Sequence, residues 1–138
     1  MSASPALKQR QIVLIDDDFF VRDFALHTIE FGTNSKVTTF ESGFRAWQYI
    51  KSNPAQVMIV IADANIPDMS GLEVLEQIKK HLPDKTFIIT SSNPDHEKAA
   101  HQMGADAFVA KPFDVNDLMT IIEELILIPA PPSDVRIG

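Results

Sequence analysis

The stretch Val57-Met58-Ile59-Val60-Ile61-Ala62-Asp63 decides the fold. It is a short, uninterrupted apolar run, rich in β-branched residues, and such runs read as strands buried on both faces of a sheet. It ends in a carboxylate and passes into the turn-like segment Ala64-Asn65-Ile66-Pro67-Asp68-Met69-Ser70-Gly71. Three further runs end in the same manner. Ile12-Val13-Leu14-Ile15 leads into Asp16-Asp17-Asp18, Phe87-Ile88-Ile89 into Thr90-Ser91-Ser92, and Ala107-Phe108-Val109-Ala110 into Lys111-Pro112. In a parallel sheet these ends meet at the carboxyl edge, where open α/β folds bind ligands.

Between the runs lie helical spacings. Val115, Leu118, Ile122 and Leu125 mark the last helix, with Asp114 as its cap. Leu72, Leu75, Ile78 and Leu82 mark another, entered at Ser70-Gly71 and stopped near Pro83. Asp18 to Phe31, ended by Gly32, and Ser42 to Ser52, ended by Asn53-Pro54, read as two more, and the sparsely apolar segment Pro94 to Met103, stopped by Gly104, as a weaker one. With Lys36-Val37-Thr38-Thr39-Phe40 as a second strand, five strands alternate with five helices. That is the pattern of a doubly wound α/β domain with a parallel sheet covered on both sides. Three parts follow: an extension over 1–10, the domain over 11–127, and a proline-rich tail or linker over 128–138.

A chain of 138 residues can hold one core without covalent staples, and this one has no cysteine. The absence of cysteine, of a signal-peptide-like start and of any apolar run of about 20 residues leads us to expect a soluble, cytoplasmic protein. Twelve basic against 19 acidic residues give a net charge of −7, which disfavours direct binding to nucleic acid or to acidic membranes. The four histidines have no metal-ligand spacing, and the five glycines form no phosphate-cradling loop. Trp47, Tyr49 and Phe44 are expected to cover the sheet.

Asp16, Asp17 and Asp18 gathered near Asp63 repel one another, and a cation relieves that repulsion. Oxygen ligands that leave positions for water suit Mg²⁺, which can then hold phosphate oxygens. Asp63 is placed to attack phosphorus as a carboxylate nucleophile, with Lys111 and the Thr90 hydroxyl taking the other oxygens. Asp18 has a simpler reading, as the cap of the helix that follows it.

The combination of Asp16-Asp17-Asp18, the Asp63 loop with Pro67 and Gly71, Thr90-Ser91, Gly104-Ala105-Asp106 and Lys111-Pro112-Phe113 resembles a response regulator receiver domain of two-component signalling, over about Gln11 to Leu127. The resemblance implies a flavodoxin-like sheet of order 2-1-3-4-5. It implies Asp63 as the phosphoacceptor, Mg²⁺ held by Asp17, Asp63 and the Asn65 backbone carbonyl with Asp16 a ligand through water, and Lys111 on the phosphoryl group. Thr90 and Phe108 become the switch pair, and the Lys111-Pro112 bond is expected to be cis.

The implied partners are a sensor histidine kinase or phosphotransfer protein, and a downstream target met through helix 4, strand 5 and helix 5. A phosphorylation-dependent homodimer is a further option. Such a module is a signalling domain rather than an enzyme. Two departures stand out: Thr90 to Lys111 is one residue shorter than the usual family spacing, and Phe108 replaces a frequent tyrosine. Two alternatives compete. One is a Mg²⁺-dependent phosphohydrolase of the haloacid dehalogenase type, suggested by Asp16-Asp17-Asp18 but lacking a following threonine and the length for a cap region; the other is a receiver-like module that is never phosphorylated.

Overall fold

The computed structural model describes residues 11–33 and 35–127. The expected extension and proline-rich tail lie outside the described residues. Strands β1 (Gln11–Ile15), β2 (Lys36–Phe40), β3 (Val57–Asp63), β4 (Thr86–Ser91) and β5 (Ala107–Ala110) alternate with helices α1 (Phe19–Thr33), α2 (Gly43–Ser52), α3 (Gly71–His81), α4 (His96–Gln102) and α5 (Val115–Leu127). All neighbouring strands are parallel, in the order β2-β1-β3-β4-β5.

The sheet has two apolar faces because its central strands carry unbroken apolar runs between their polar ends. Residues of alternate parity therefore feed separate cores. Val13, Ile15, Val60, Ala62, Phe87 and Ile89 pack beneath α2, α3 and α4. Ile12, Leu14, Ile59, Ile61, Ile88 and Val109 pack beneath α1 and α5. Each fully buried aliphatic side chain contributes roughly 1.5–3 kcal/mol, so this double layer holds the strand ends in place.

The helices start where local chemistry satisfies their free N–H groups. Asp18 Oδ1 accepts from the Phe20 and Val21 amides, and Asp114 Oδ1 accepts from that of Asp117, as expected of both caps. Ser70 and Glu73 form a reciprocal capping box at α3. Gly104 has φ 98°, and Ala105 N–H donates to the Ala100 carbonyl at 3.0 Å, closing α4 with a left-handed residue.

Three expectations need correction. Gly32 does not end α1, which continues through it to Thr33. A Cβ on Gly32 would lie 2.5 Å from Met119 Cε, the movable end of a flexible side chain on α5, and Thr33 Oγ1 donates to the Ile29 carbonyl at 2.7 Å. Helix α4 starts at His96 rather than Pro94, because Asn93, Pro94 and Asp95 form a turn in which Asn93 Oδ1 accepts from the Asp95 amide. Trp47 packs in the core beneath α2, and Tyr49 packs against that core and donates to Gln11 Oε1, but Phe44 remains 53% exposed and covers nothing.

Candidate functional site

Three strand ends supply the centre of the site. Asp16 follows β1, Asp63 is the last residue of β3, and Lys111 follows β5. Lys111 Nζ lies 2.7 Å from Asp16 Oδ2 and 2.6 Å from Asp63 Oδ2, bridging the two carboxylates. The remaining oxygens are held by backbone: Asp16 Oδ1 accepts from the Asp18 amide and Asp63 Oδ1 from the Asn65 amide, both at 2.9 Å. Asp17 points to solvent, yet Asp16, Asp17 and Asp63 can bring one carboxylate oxygen each within 4.8 Å of one another.

Burial pushes the Asp16 carboxyl above its ordinary range, against the opposing hydrogen bonds from Lys111 and the Asp18 amide. Burial acts to lower Lys111, but its hydrogen bonds to Asp16 and Asp63 outweigh that and hold the ammonium above its ordinary value. A buried carboxylate pair is thus kept with its own counter-ion. The three carboxylates are hard oxygen donors with one exposed member, a set that fits Mg²⁺ with several retained waters.

Backbone contacts stiffen the surroundings. Asp16 N–H donates to the Phe40 carbonyl, Ala64 N–H to that of Thr90 and Lys111 N–H to that of Ser91. Gly71 lies so close to Asp63 that a Cβ there would be 2.1 Å from the Asp63 carbonyl oxygen; only glycine lets α3 start against this loop. The Lys111–Pro112 bond is cis, as the resemblance implies.

Thr90 is buried and lies opposite Asp63 in the β3–β4 register. Phe108 is less closely associated. It is half-buried, pairs with Ile89 and packs on the α2–α4 side, while Thr90 pairs with Val109. The two residues expected to form a switch pair are therefore one register step apart. The exposed Asn65 sits in the loop beside Asp63.

Two features escaped the sequence reading. Asp68 reaches across to α2, where its carboxylate accepts from Ser42 Oγ at 2.6 Å, the Gly43 amide at 3.0 Å and the Phe44 amide at 3.3 Å. Its partners are about 25 residues away in sequence, so no local pattern announces them. The Ser42 hydroxyl, followed by these amides, holds the Asp68 carboxyl below its ordinary range. His96, one of four histidines without metal-ligand spacing, has its Nδ1 2.7 Å from Ser91 Oγ at the start of α4.

A profile of the response regulator receiver domain matches residues 12–123. The DNA-binding transcriptional regulator NtrC of Escherichia coli (strain K12) is 34% identical over 121 residues, 86% of this chain and 25% of that protein. Response regulator Rre1 of Synechocystis is 27% identical over 120 residues, covering 83% of this chain and 51% of Rre1. The chain thus spans about a quarter of NtrC's length. Among solved structures, a response regulator receiver domain protein from Clostridium thermocellum matches with TM-score 0.79 and 27% identity, covering 85% of this chain and 94% of the other.

Proposed function

Because the chain belongs to the response regulator receiver domain family, we propose that Asp63 accepts a phosphoryl group from the phosphohistidine of a sensor kinase or phosphotransfer protein, and that the resulting acyl phosphate alters a partner-binding surface. Receiver domains are signalling modules of two-component systems, and this reading makes Asp63 the point at which the signal is received. One observation carries it: Lys111 bridges Asp16 and Asp63 at the carboxyl edge, so the two carboxylates and a cationic side chain occupy one cleft.

In the transfer, an Asp63 oxygen forms a bond to phosphorus as the donor's N–P bond breaks, and the electron pair leaves with the imidazole. Mg²⁺ would be held by Asp17, Asp63 and the Asn65 carbonyl, with Asp16 through water, and would supply charge neutralisation for the phosphoryl oxygens. Lys111 exchanges a carboxylate partner for a phosphoryl oxygen. The Thr90 hydroxyl, next to Asp63 in register, donates to another.

The output runs through α4, β5 and α5. Helix α4 has 7 residues and Ala100 is the one it buries, so displacing it disturbs little core. Beside it, a cleft of about 410 Å³ between β5 and α5, lined by Phe108, Asn116 and Ile121 among others, offers a seat for a partner. Movement of Thr90 toward the phosphoryl group draws on β4, and Phe108 on β5 responds. Phosphorylation shifts this equilibrium only by its differential affinity for the two arrangements. The module spans 11–127, with 1–10 as an extension and 128–138 as a tail or linker.

The test is incubation with acetyl phosphate and Mg²⁺, followed by intact mass measurement. One phosphoryl group should be added, and none to Asp63→Asn. Equal labelling of that variant would remove Asp63 from the role.

A further inference from the structure

Helix α4 begins without the device that starts the other helices. Ser42 and Ser70 cap α2 and α3 with their side chains, and Asp18 and Asp114 do so for α1 and α5. Asp95, at the cap position of α4, has helical angles, φ −68° and ψ −17°, and makes no side-chain hydrogen bond to the helix. The first amides are met by the backbone of the preceding turn, His96 N–H donating to the Asn93 carbonyl at 3.0 Å and Glu97 N–H to that of Pro94 at 3.1 Å. Toward the core the helix offers Ala100, with Met103 just beyond its end.

What ties its first turn to the sheet is the pair Ser91 and His96. Ser91 is the last residue of β4 and 1% exposed, His96 is the half-buried first residue of α4, and Ser91 Oγ lies 2.7 Å from His96 Nδ1. The same oxygen accepts from the Asn93 amide at 3.0 Å, and another acceptor for its proton, the Asn93 carbonyl, is farther away at 3.4 Å. The hydroxyl proton is accordingly assigned to the His96 ring. Through its carbonyl Ser91 also accepts from the Lys111 amide at 2.8 Å, so one residue joins α4 to the strand end that carries Lys111. The segment from Thr90 to Lys111 is one residue shorter than the usual family spacing, and this side-chain bond closes the shortened turn.

We propose that His96 is a latch on α4: its hydrogen bond to Ser91 sets how often the helix leaves β4. A bond of this kind shifts such an equilibrium by roughly twofold to tenfold, and a helix that buries only Ala100 resists little once the bond is gone. The latch belongs to the chain without a phosphoryl group, whereas its effect on output rests on the proposed role of Asp63. A ligand at Asp63 that favours the displaced helix binds more tightly when the latch is removed, because the competent arrangement is then more populated.

Amide hydrogen exchange of the full chain tests the latch. His96→Phe keeps a ring and removes the acceptor, so the amides of Ala100, His101 and Gln102 should exchange roughly twofold to tenfold faster than in the parent, while those of Ile61 and Ile88 in the central strands stay unchanged. His96→Asn supplies an acceptor at the same distance along the side chain and should restore most of the parental rate. Ser91→Ala combined with His96→Phe should open α4 no faster than Ser91→Ala alone. With Mg²⁺ and beryllofluoride as a phosphoryl mimic, His96→Phe should bind the mimic more tightly by the factor seen in exchange. Parental exchange in His96→Phe, an Asn variant as fast as the Phe variant, or a double variant faster than Ser91→Ala would each overturn the latch. Faster α4 exchange with unchanged affinity for the mimic would overturn its link to output, and a parent chain that takes up no mimic would instead refute the role of Asp63, with exchange still deciding the latch.

Discussion

Replacing Asp68 tests whether the loop that follows Asp63 is tied down from outside the site. Its carboxylate accepts from the first two amides of α2 and from the hydroxyl of the α2 cap, Ser42, which itself accepts from the Arg45 amide. Asp68→Ala leaves two helix-terminal N–H groups to water and removes a negative charge from the positive end of the helix. Loss of a cap costs typically about 1 kcal/mol, and the helix-dipole contribution adds about 0.3–1 kcal/mol. The variant should therefore be about 1–2 kcal/mol less stable at neutral pH, lowering the thermal midpoint by roughly 4–8 °C for a chain of this size.

Asp68→Asn keeps an oxygen acceptor and should lose less. The pH dependence follows from the lowered carboxyl of Asp68. A group depressed in the folded state stabilises fully above its unfolded value, near 4, and that contribution disappears as pH falls through the folded value. Melting curves of parent and variant should thus converge on acidification below that point. An unchanged midpoint for Asp68→Ala at neutral pH, or a gap that widens in acid, would refute the clamp.

Asp17→Ala should weaken Mg²⁺ binding, measured by titration calorimetry; equal affinity would remove Asp17 from the ligand set. Lys111→Met takes away the ammonium between Asp16 and Asp63, so the metal-free protein should melt lower and recover more of its midpoint on adding Mg²⁺ than the parent does. Equal midpoints without metal would show that the bridge contributes no stability. Thr90→Ala should take up phosphate but show chemical-shift changes confined near Asp63; changes reaching Phe108 as fully as in the parent would sink the proposed switch.

The strand ends are legible in the sequence because buried parallel strands carry unbroken apolar runs, so the change to Asp16, Asp63, Thr90 or Lys111 marks the edge sharply. The strand order came from the resemblance, since alternation alone leaves several orders open. Gly32 falls inside α1 because a glycine weakens a helix without by itself ending it. The Asp68 bonds were invisible because their partners lie about 25 residues away in sequence. Phe20, Phe24 and Phe31 have helical spacing in the sequence, yet they are exposed, because α1 meets the core through Ala25 and Ile29 instead.

The bridge between Lys111 and Asp16 joins residues 95 positions apart, and that between Lys111 and Asp63 spans 48. During synthesis from the amino terminus, both carboxylates leave the ribosome well before the lysine that neutralises them. A nascent chain that has not yet reached β5 holds its acidic residues without their internal partner and lacks the strand that places it. The complete cleft therefore arrives late and at once, with β5, and under the proposed function chains cut short before it should accept no phosphoryl group.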